Sequence, residues 1–342
     1  MKDANELLLQ LVQDVNELKI VIKQGFEKVN NRIDEESMKN FFKDKGFINI
    51  IPITEGLSRD KKYLISTEDK RQYFFKIKIS AGYEETKAGF DMFEQLYNHG
   101  VPMPKPIEIG ICPLGPYIMD EALDEKYEGL RTFLSKLDNE ENYSCGIEVG
   151  KILKKVHSSP IRNVYSRDWG YHFKKWAGSA MERYKKHEIH FEGEEYFIKI
   201  LENYENYLKS EQICFLHWDF HAGNILVKNG DLKIIDFGKK KNVDGDPYKD
   251  FADFMIQGYK YPHFIAGMIN EYFQDENDKL REFFISIKLY IVYNLFIMMT
   301  DSKQSHLLDY RIRAAKKVLK YYNNMKNDIP SWYIKSYLPD TF

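Results

Sequence analysis

The chain has 342 residues, 43% hydrophobic and 15% aromatic, enough for two lobes with real cores and too apolar for a disordered chain. Its 50 basic and 52 acidic residues leave a formal net charge of −2 and show no basic patch, so no nucleic-acid partner is expected. Three scattered cysteines, Cys112, Cys145 and Cys214, form no CxxC pair and suit a reducing, cytoplasmic setting better than a disulfide framework.

The first segment, residues 1–36, reads as an amphipathic helix without the basic start and cleavage site of a signal peptide. Leu8, Val15, Ile22 and Val29 recur every seven residues, with Leu11 and Leu18 at the second seam position. β-branched residues at one seam position and Leu at the other favour two parallel strands, hence a homodimeric coiled coil. The seam fails at Gly25 and Arg32, and coiled coils sustain about 3–4 heptads. A single helix docked on its own body therefore stands equally open.

Residues 37–119 read as a small antiparallel-sheet lobe. "FINIIPIT" is an apolar strand and "EGLSRDKK" a turn; "YLIST", "EDKR" and "QYFFKIKI" make a hairpin. A helix is expected from Tyr83 to about His99, with Phe90, Phe93, Leu96 and Tyr97 as its inner face. "VPMPKP" breaks it, because proline removes donors and restrains its predecessor. "IEIGI" and "GPYIMDEA" are two further strands. Residues 120–342 turn mainly helical, interrupted by a β segment at 225–236. The most apolar run, 283–299, contains Lys288 and Asn294. A membrane span needs ~20 mostly apolar residues, so this is the central buried helix of the larger lobe and no membrane is expected. The fold class is α+β and bilobal.

"HWDFHAGNILVKNGDLKIIDFG", His217 to Gly238, concentrates the chemistry. Asp219 and Asn224 have the D-x-x-x-x-N spacing, and Asp236-Phe237-Gly238 follows a strand-turn-strand. Phosphoryl transfer from a nucleotide uses this set: the first Asp accepts the proton of the attacking hydroxyl, while Asn and the later Asp hold magnesium on the phosphates. Magnesium (Mg2+) prefers hard oxygen ligands and takes few from protein. Turn capping is the bland role of Asp and Asn, but it does not account for the combined pattern.

These stretches, with "IIDFGKKKNVDGDPYKDFA", resemble the aminoglycoside phosphotransferase family, which includes choline and other small-molecule kinases, over residues 47–330. The resemblance implies a protein-kinase-like fold with ATP, or GTP, bound between the lobes. It implies that His217 supports the catalytic loop; Trp218 departs from the glycine usual there. "YFFKIKI" resembles the nucleotide-binding strand, with Lys76 on the α/β-phosphates, although Lys78 shares its strand parity. The helical glutamate that pairs with this lysine would fall near Gly89, and Glu85, one turn earlier, is the candidate substitute. "YIMDEALDE" resembles the linker, with the backbone of Asp120 and Ala122 on adenine behind Met119. Ser58, in the turn with the single glycine Gly56, would touch phosphate.

In "DGDPYKDFADF", Asp246 before Pro247 reads as a helix N-cap, and Asp250 and Asp253 are candidate acceptor-binding acids. His157 reads as a packed core histidine, and His172, His187, His190 and His263 lack zinc spacing. Acids between Glu188 and Glu211, among them Glu192, Glu194, Glu195, Glu202 and Glu205, are solvated or line a pocket for ammonium groups. The expected function is an ATP-dependent kinase of a small, cationic molecule, first an aminoglycoside, with a choline or amino-sugar kinase as the alternative. A protein kinase is disfavoured by the absent A-P-E signature and the short run from Gly238 to Asp246. An inactive kinase-like binding module is disfavoured by the presence of Lys76, Asp219, Asn224 and Asp236.

Overall fold

Between Thr67 and Gln72 four polar residues reverse the chain. Lys70 adopts φ 64°, the Thr67 hydroxyl donates to Asp69 at 2.5 Å, and Arg71 Nε reaches the other Asp69 oxygen at 2.6 Å. The hairpin so closed pairs β2 (Lys61–Thr67) with β3 (Gln72–Ile77). With β1 (Phe47–Ile53), β4 (Pro106–Cys112) and β5 (Gly115–Glu121), they form an antiparallel sheet in the order β1-β2-β3-β5-β4. The computed structural model describes residues 35–54, 59–161, 169–187, 189–209, 212–237, 244–274, 276–334 and 337–338, with backbone alone at 302–304. The seam of residues 8–29 and the turn holding Gly56 and Ser58 lie outside them.

Alternation along a strand sends successive side chains to opposite faces. Ile65, Phe75, Ile77, Tyr117 and Met119 share one face and pack with Met38 and Phe42 of α1 (residues 35–44). Phe75 stacks on Tyr117 at 4.5 Å, and Phe42 meets Phe75 edge-on at 5.5 Å. Aromatic pairs of this kind add about 0.5–1.5 kcal/mol beyond the area they bury. The opposite face carries Lys76 and Asp120.

The chain divides into two compact units, one of the residues up to Phe93 with Lys105–Ala122, the other of Glu94–Pro104 with Leu123 onward. Helix α2 (Tyr83–Asn98) runs from one into the other. It buries Thr86, Phe90 and Leu96, but Tyr97, expected on the inner face, is exposed.

The second unit is mainly helical. A capping box of Asp138 and Glu141 starts α3 (Asn139–His157), each side chain bonding the other's backbone N–H. Helix α3 lies against α4 (Pro262–Tyr272) closely enough that a Cβ on Gly146 would come 2.0 Å from Phe264 O, so no larger residue fits. Helix α5 (Asn277–Met299) is buried on nearly all sides. By length and composition it could cross a membrane, but it is a core helix of this unit. Its two polar interruptions have partners: Lys288 pairs with Asp328 at 2.5 Å, and Asn294 donates to Asp253 at 3.3 Å. Among the described residues Cys112, Cys145 and Cys214 form no disulfide.

Candidate active site

An Asn229-Gly230 turn, both residues at positive φ, joins β6 (Ile225–Lys228) to β7 (Asp231–Ile234) as an antiparallel hairpin. Ile225 opposes Ile234, so Asn224 and Asp236 emerge at the same end. The Ile235 N–H donates to Asn224 O at 3.0 Å and fixes that end. Asn224 is buried, and its Nδ2 donates to Asp219 O (2.9 Å) and Oδ2 (3.2 Å). With the amide hydrogens so used, Asn224 Oδ1 remains an acceptor. Asp219 and Asp236 are both exposed. The three side chains singled out by the sequence are thus brought together.

The loop is held from below. Asp250 is 2% exposed; its Oδ2 accepts the His217 N–H at 2.7 Å and its Oδ1 the Trp218 N–H at 2.9 Å. His157 places Nε2 at 3.2 Å from the same carboxylate and Nδ1 at 2.7 Å from the Tyr272 hydroxyl. Burial alone would raise the Asp250 carboxyl; the hydrogen bond and charge of His157, with His217 and Lys249, outweigh it and hold it below the ordinary range. His157 is the packed core histidine expected. Asp250 is not available as an acceptor-binding acid, because both oxygens hold the backbone that leads into Asp219.

His217 is completely buried. Its Nε2 donates to Ile235 O at 3.1 Å, and its Nδ1 accepts the Asp219 N–H at 3.3 Å. Burial lowers its basicity despite the charges of Asp250 and Asp219, so it stays neutral and links Asp219 to the segment entering Asp236. Trp218 adopts φ 69°, the left-handed region that explains why glycine suits this place. Its ring packs on Trp169 (5.9 Å) and Trp176 (5.4 Å), with the Lys249 ammonium 5.7 Å from its centre.

In the first unit, Lys76 is buried within β3, whereas Lys78 follows the strand and pairs with Asp60 at 3.4 Å. Lys76 opposes Ile118 and Phe74 opposes Asp120, so Lys76 and Asp120 are diagonal neighbours on one face. Burial pushes the Asp120 carboxyl up to about 6, against the pull of Lys76 and Lys78. Three expectations change here. Met119 points into the aromatic core on the face opposite Lys76. The Ala122 N–H, expected on adenine, donates to Gln72 O at 3.3 Å. Glu85 is exposed in the first turn of α2, and among the described residues it makes no ion pair with Lys76.

Asp253 is partly buried and lines a small cavity of about 30 Å³ with Arg131, His221 and Tyr261. Burial raises its carboxyl, opposed by Lys249 and His221 and reinforced by Asp219 and Asp250. The acids of the preceding insertion lie elsewhere on this unit. Glu194 accepts from the Tyr184 hydroxyl at 2.6 Å and meets His190 at 2.9 Å, while Glu192, Glu195, Glu202 and Glu205 are exposed. The sequence reading missed His221, whose Nε2 lies 3.5 Å from Asp219 Oδ1. Its signal was a second histidine two residues past the base.

Among the described residues no cluster of three or more His, Cys, Asp or Glu side chains surrounds a metal position. Asn224 and Asp236 instead offer the sparse oxygen donors that suit magnesium, which completes its shell with phosphates and water.

The phosphotransferase enzyme family model matches residues 49–283, more than half of the chain. No curated protein sequence matches it. Among solved structures, the GDP complex of aminoglycoside 2'-phosphotransferase-IIIa is similar with 13% identity and a TM-score of 0.61, covering 82% of this chain and 95% of that one. The streptomycin–ATP–APH(2")-IIa ternary complex has 20% identity and a TM-score of 0.57, covering 85% and 98%. Amicoumacin kinase hAmiN, with AMP-PNP, Ca2+ and Ami, has 13% identity and a TM-score of 0.52, covering 89% and 97%. At these identities the likeness carries the fold, which is protein-kinase-like.

Proposed function

This chain belongs to the phosphotransferase enzyme family, and from that premise we propose that it is an ATP-dependent kinase of small-molecule hydroxyls, with an aminoglycoside as acceptor. The observation that supports the chemistry most directly is the exposed Asp219 carboxylate beside Asn224, with Asp236 at the same hairpin end.

Asp219 takes the proton of the acceptor hydroxyl as its oxygen bonds the γ-phosphorus. The bond from that phosphorus to the β,γ-bridging oxygen breaks, and ADP leaves with the electron pair. Asn224 Oδ1 and Asp236 would hold magnesium, which when bound would neutralise phosphate charge. Lys76 serves the nucleotide phosphates. His217, neutral and buried, keeps Asp219 and the segment before Asp236 in register.

The acceptor class is supported by the streptomycin complex among the similar structures. Asp253 is the acid left to meet an ammonium group. Because Asp250 is buried under the loop, a choline, amino-sugar or other metabolite with fewer charges is the second reading.

Turnover of labelled ATP and GTP against a panel of aminoglycosides, choline and amino sugars tests both readings. With an aminoglycoside acceptor the Michaelis constant should rise with ionic strength while kcat changes little, since salt screens charges beyond about 8–10 Å. A neutral sugar outperforming every polyamine acceptor, with a salt-independent constant, moves the assignment to a metabolite kinase.

A further inference from the structure

Nothing in the proposed chemistry uses His221, yet both its ring and its backbone are held by the turn. Nδ1 accepts the Gly223 N–H at 2.9 Å, and the His221 carbonyl accepts the Asn224 N–H at 2.9 Å. A Cβ at residue 223 would lie 2.7 Å from the ring Cε1, so glycine is what lets the ring lie flat on the turn. With Nδ1 occupied as an acceptor, the neutral ring carries its hydrogen on Nε2. That nitrogen is the atom 3.5 Å from Asp219 Oδ1. Asn224 already donates to the other oxygen, Oδ2.

A free aspartate carboxylate rotates about its last bond. Two donors on different oxygens remove that freedom. Of the other charged groups near the ring, Asp253 and Arg131 share its small cavity, His217 stands behind the loop, and Lys249 acts on Asp253. Among the described residues none of these groups bonds Asp219 Oδ1.

We infer that His221 is the positioning residue of the base: its Nε2–H and the Asn224 amide together fix the rotation of the Asp219 carboxylate. This rests on the reading of Asp219 as the base. The 3.5 Å separation is long for a hydrogen bond, and such contacts tighten in the reacting complex.

Two isosteres separate positioning from loop support. In His221→Asn the side-chain oxygen replaces Nδ1 and keeps the Gly223 contact, with nothing toward Asp219. In His221→Gln the amide nitrogen replaces Nε2 and keeps the donor toward Asp219. The variants are compared with His221→Ala and Asp219→Asn in the full chain. The readouts are magnesium-dependent ATP turnover with the best acceptor of the panel, or water if none turns over; AMP-PNP affinity by titration; and the thermal midpoint. His221→Asn and His221→Ala should lose roughly 10²-fold in kcat, the cost of a misplacement near 1 Å, with the Michaelis constant for ATP within about twofold. His221→Gln should recover about tenfold or more over alanine. The inference is overturned if His221→Asn is the more active isostere, or if all three lose activity in proportion to their thermal midpoints. If Asp219→Asn keeps turnover, the base reading itself fails. If it is inactive and only the isostere order is reversed, the positioning role alone fails.

Discussion

The loop leading to Asp219 in the second unit stands on a buried polar platform, whereas Lys76 in the first unit rises from a sheet face and the helical glutamate expected beside it, Glu85, is exposed. Asp250, His157 and His217 are all buried, and between them they hold the backbone N–H groups of three successive loop residues, His217, Trp218 and Asp219. Lys76 has Asp120 as a diagonal neighbour on its own sheet, while Glu85 projects into solvent. A base must meet its proton within a few tenths of an ångström, so its loop is fixed by several buried bonds. A cation gripping phosphate acts through charge, which tolerates a looser seat.

The largest test of this contrast is chemical. Asp219→Ala should lower turnover by ~10²–10⁴ through loss of the general base while leaving nucleotide affinity nearly intact. Asp236→Ala should instead weaken magnesium-nucleotide binding. Nucleotide titrations beside steady-state kinetics separate them, and equal loss of binding in both would dissolve the division of roles.

The platform is the second target. Asp250→Ala leaves two backbone N–H groups and a buried imidazole without their acceptor, and should cost about 3–5 kcal/mol in denaturant unfolding. Because the folded carboxyl lies below its unfolded value, its contribution is present above the ordinary carboxylate range and is lost as pH falls through the depressed folded value. Asp250→Ala should therefore narrow the gap in stability between neutral and acid solution. An unchanged acid limb would mean that another group carries it.

The smallest effects belong to the first unit. Lys76→Met should raise the Michaelis constant for ATP by roughly tenfold, the worth of one charge-assisted contact of about 1.5 kcal/mol. Glu85→Gln should leave it within about twofold, as for an exposed charge. A Glu85 variant as impaired as Lys76→Met would restore the helical glutamate and remove the contrast between the units.

Local order was legible in the chain itself. The D-x-x-x-x-N spacing, the Asn-Gly turn and the Asp-Pro helix start are all read within a few residues of backbone. The structure keeps them, with the Asp246 side chain capping Tyr248 N at 2.9 Å. Strand parity was also written in the residues: Met119 lies one position from Ile118, opposite Lys76, and so faces the core. What only the tertiary structure decided was which acid goes where. Asp250 and Asp253 are three residues apart and each is followed by phenylalanine, yet one is closed beneath the loop and the other borders a cavity beside His221. The acids of the insertion read as a solvated face or as an ammonium pocket, because chain spacing does not encode which surface a helix turns outward. A carboxylate's role depends on the donors and charges that long-range packing brings within a few ångströms, and sequence pattern records only near neighbours.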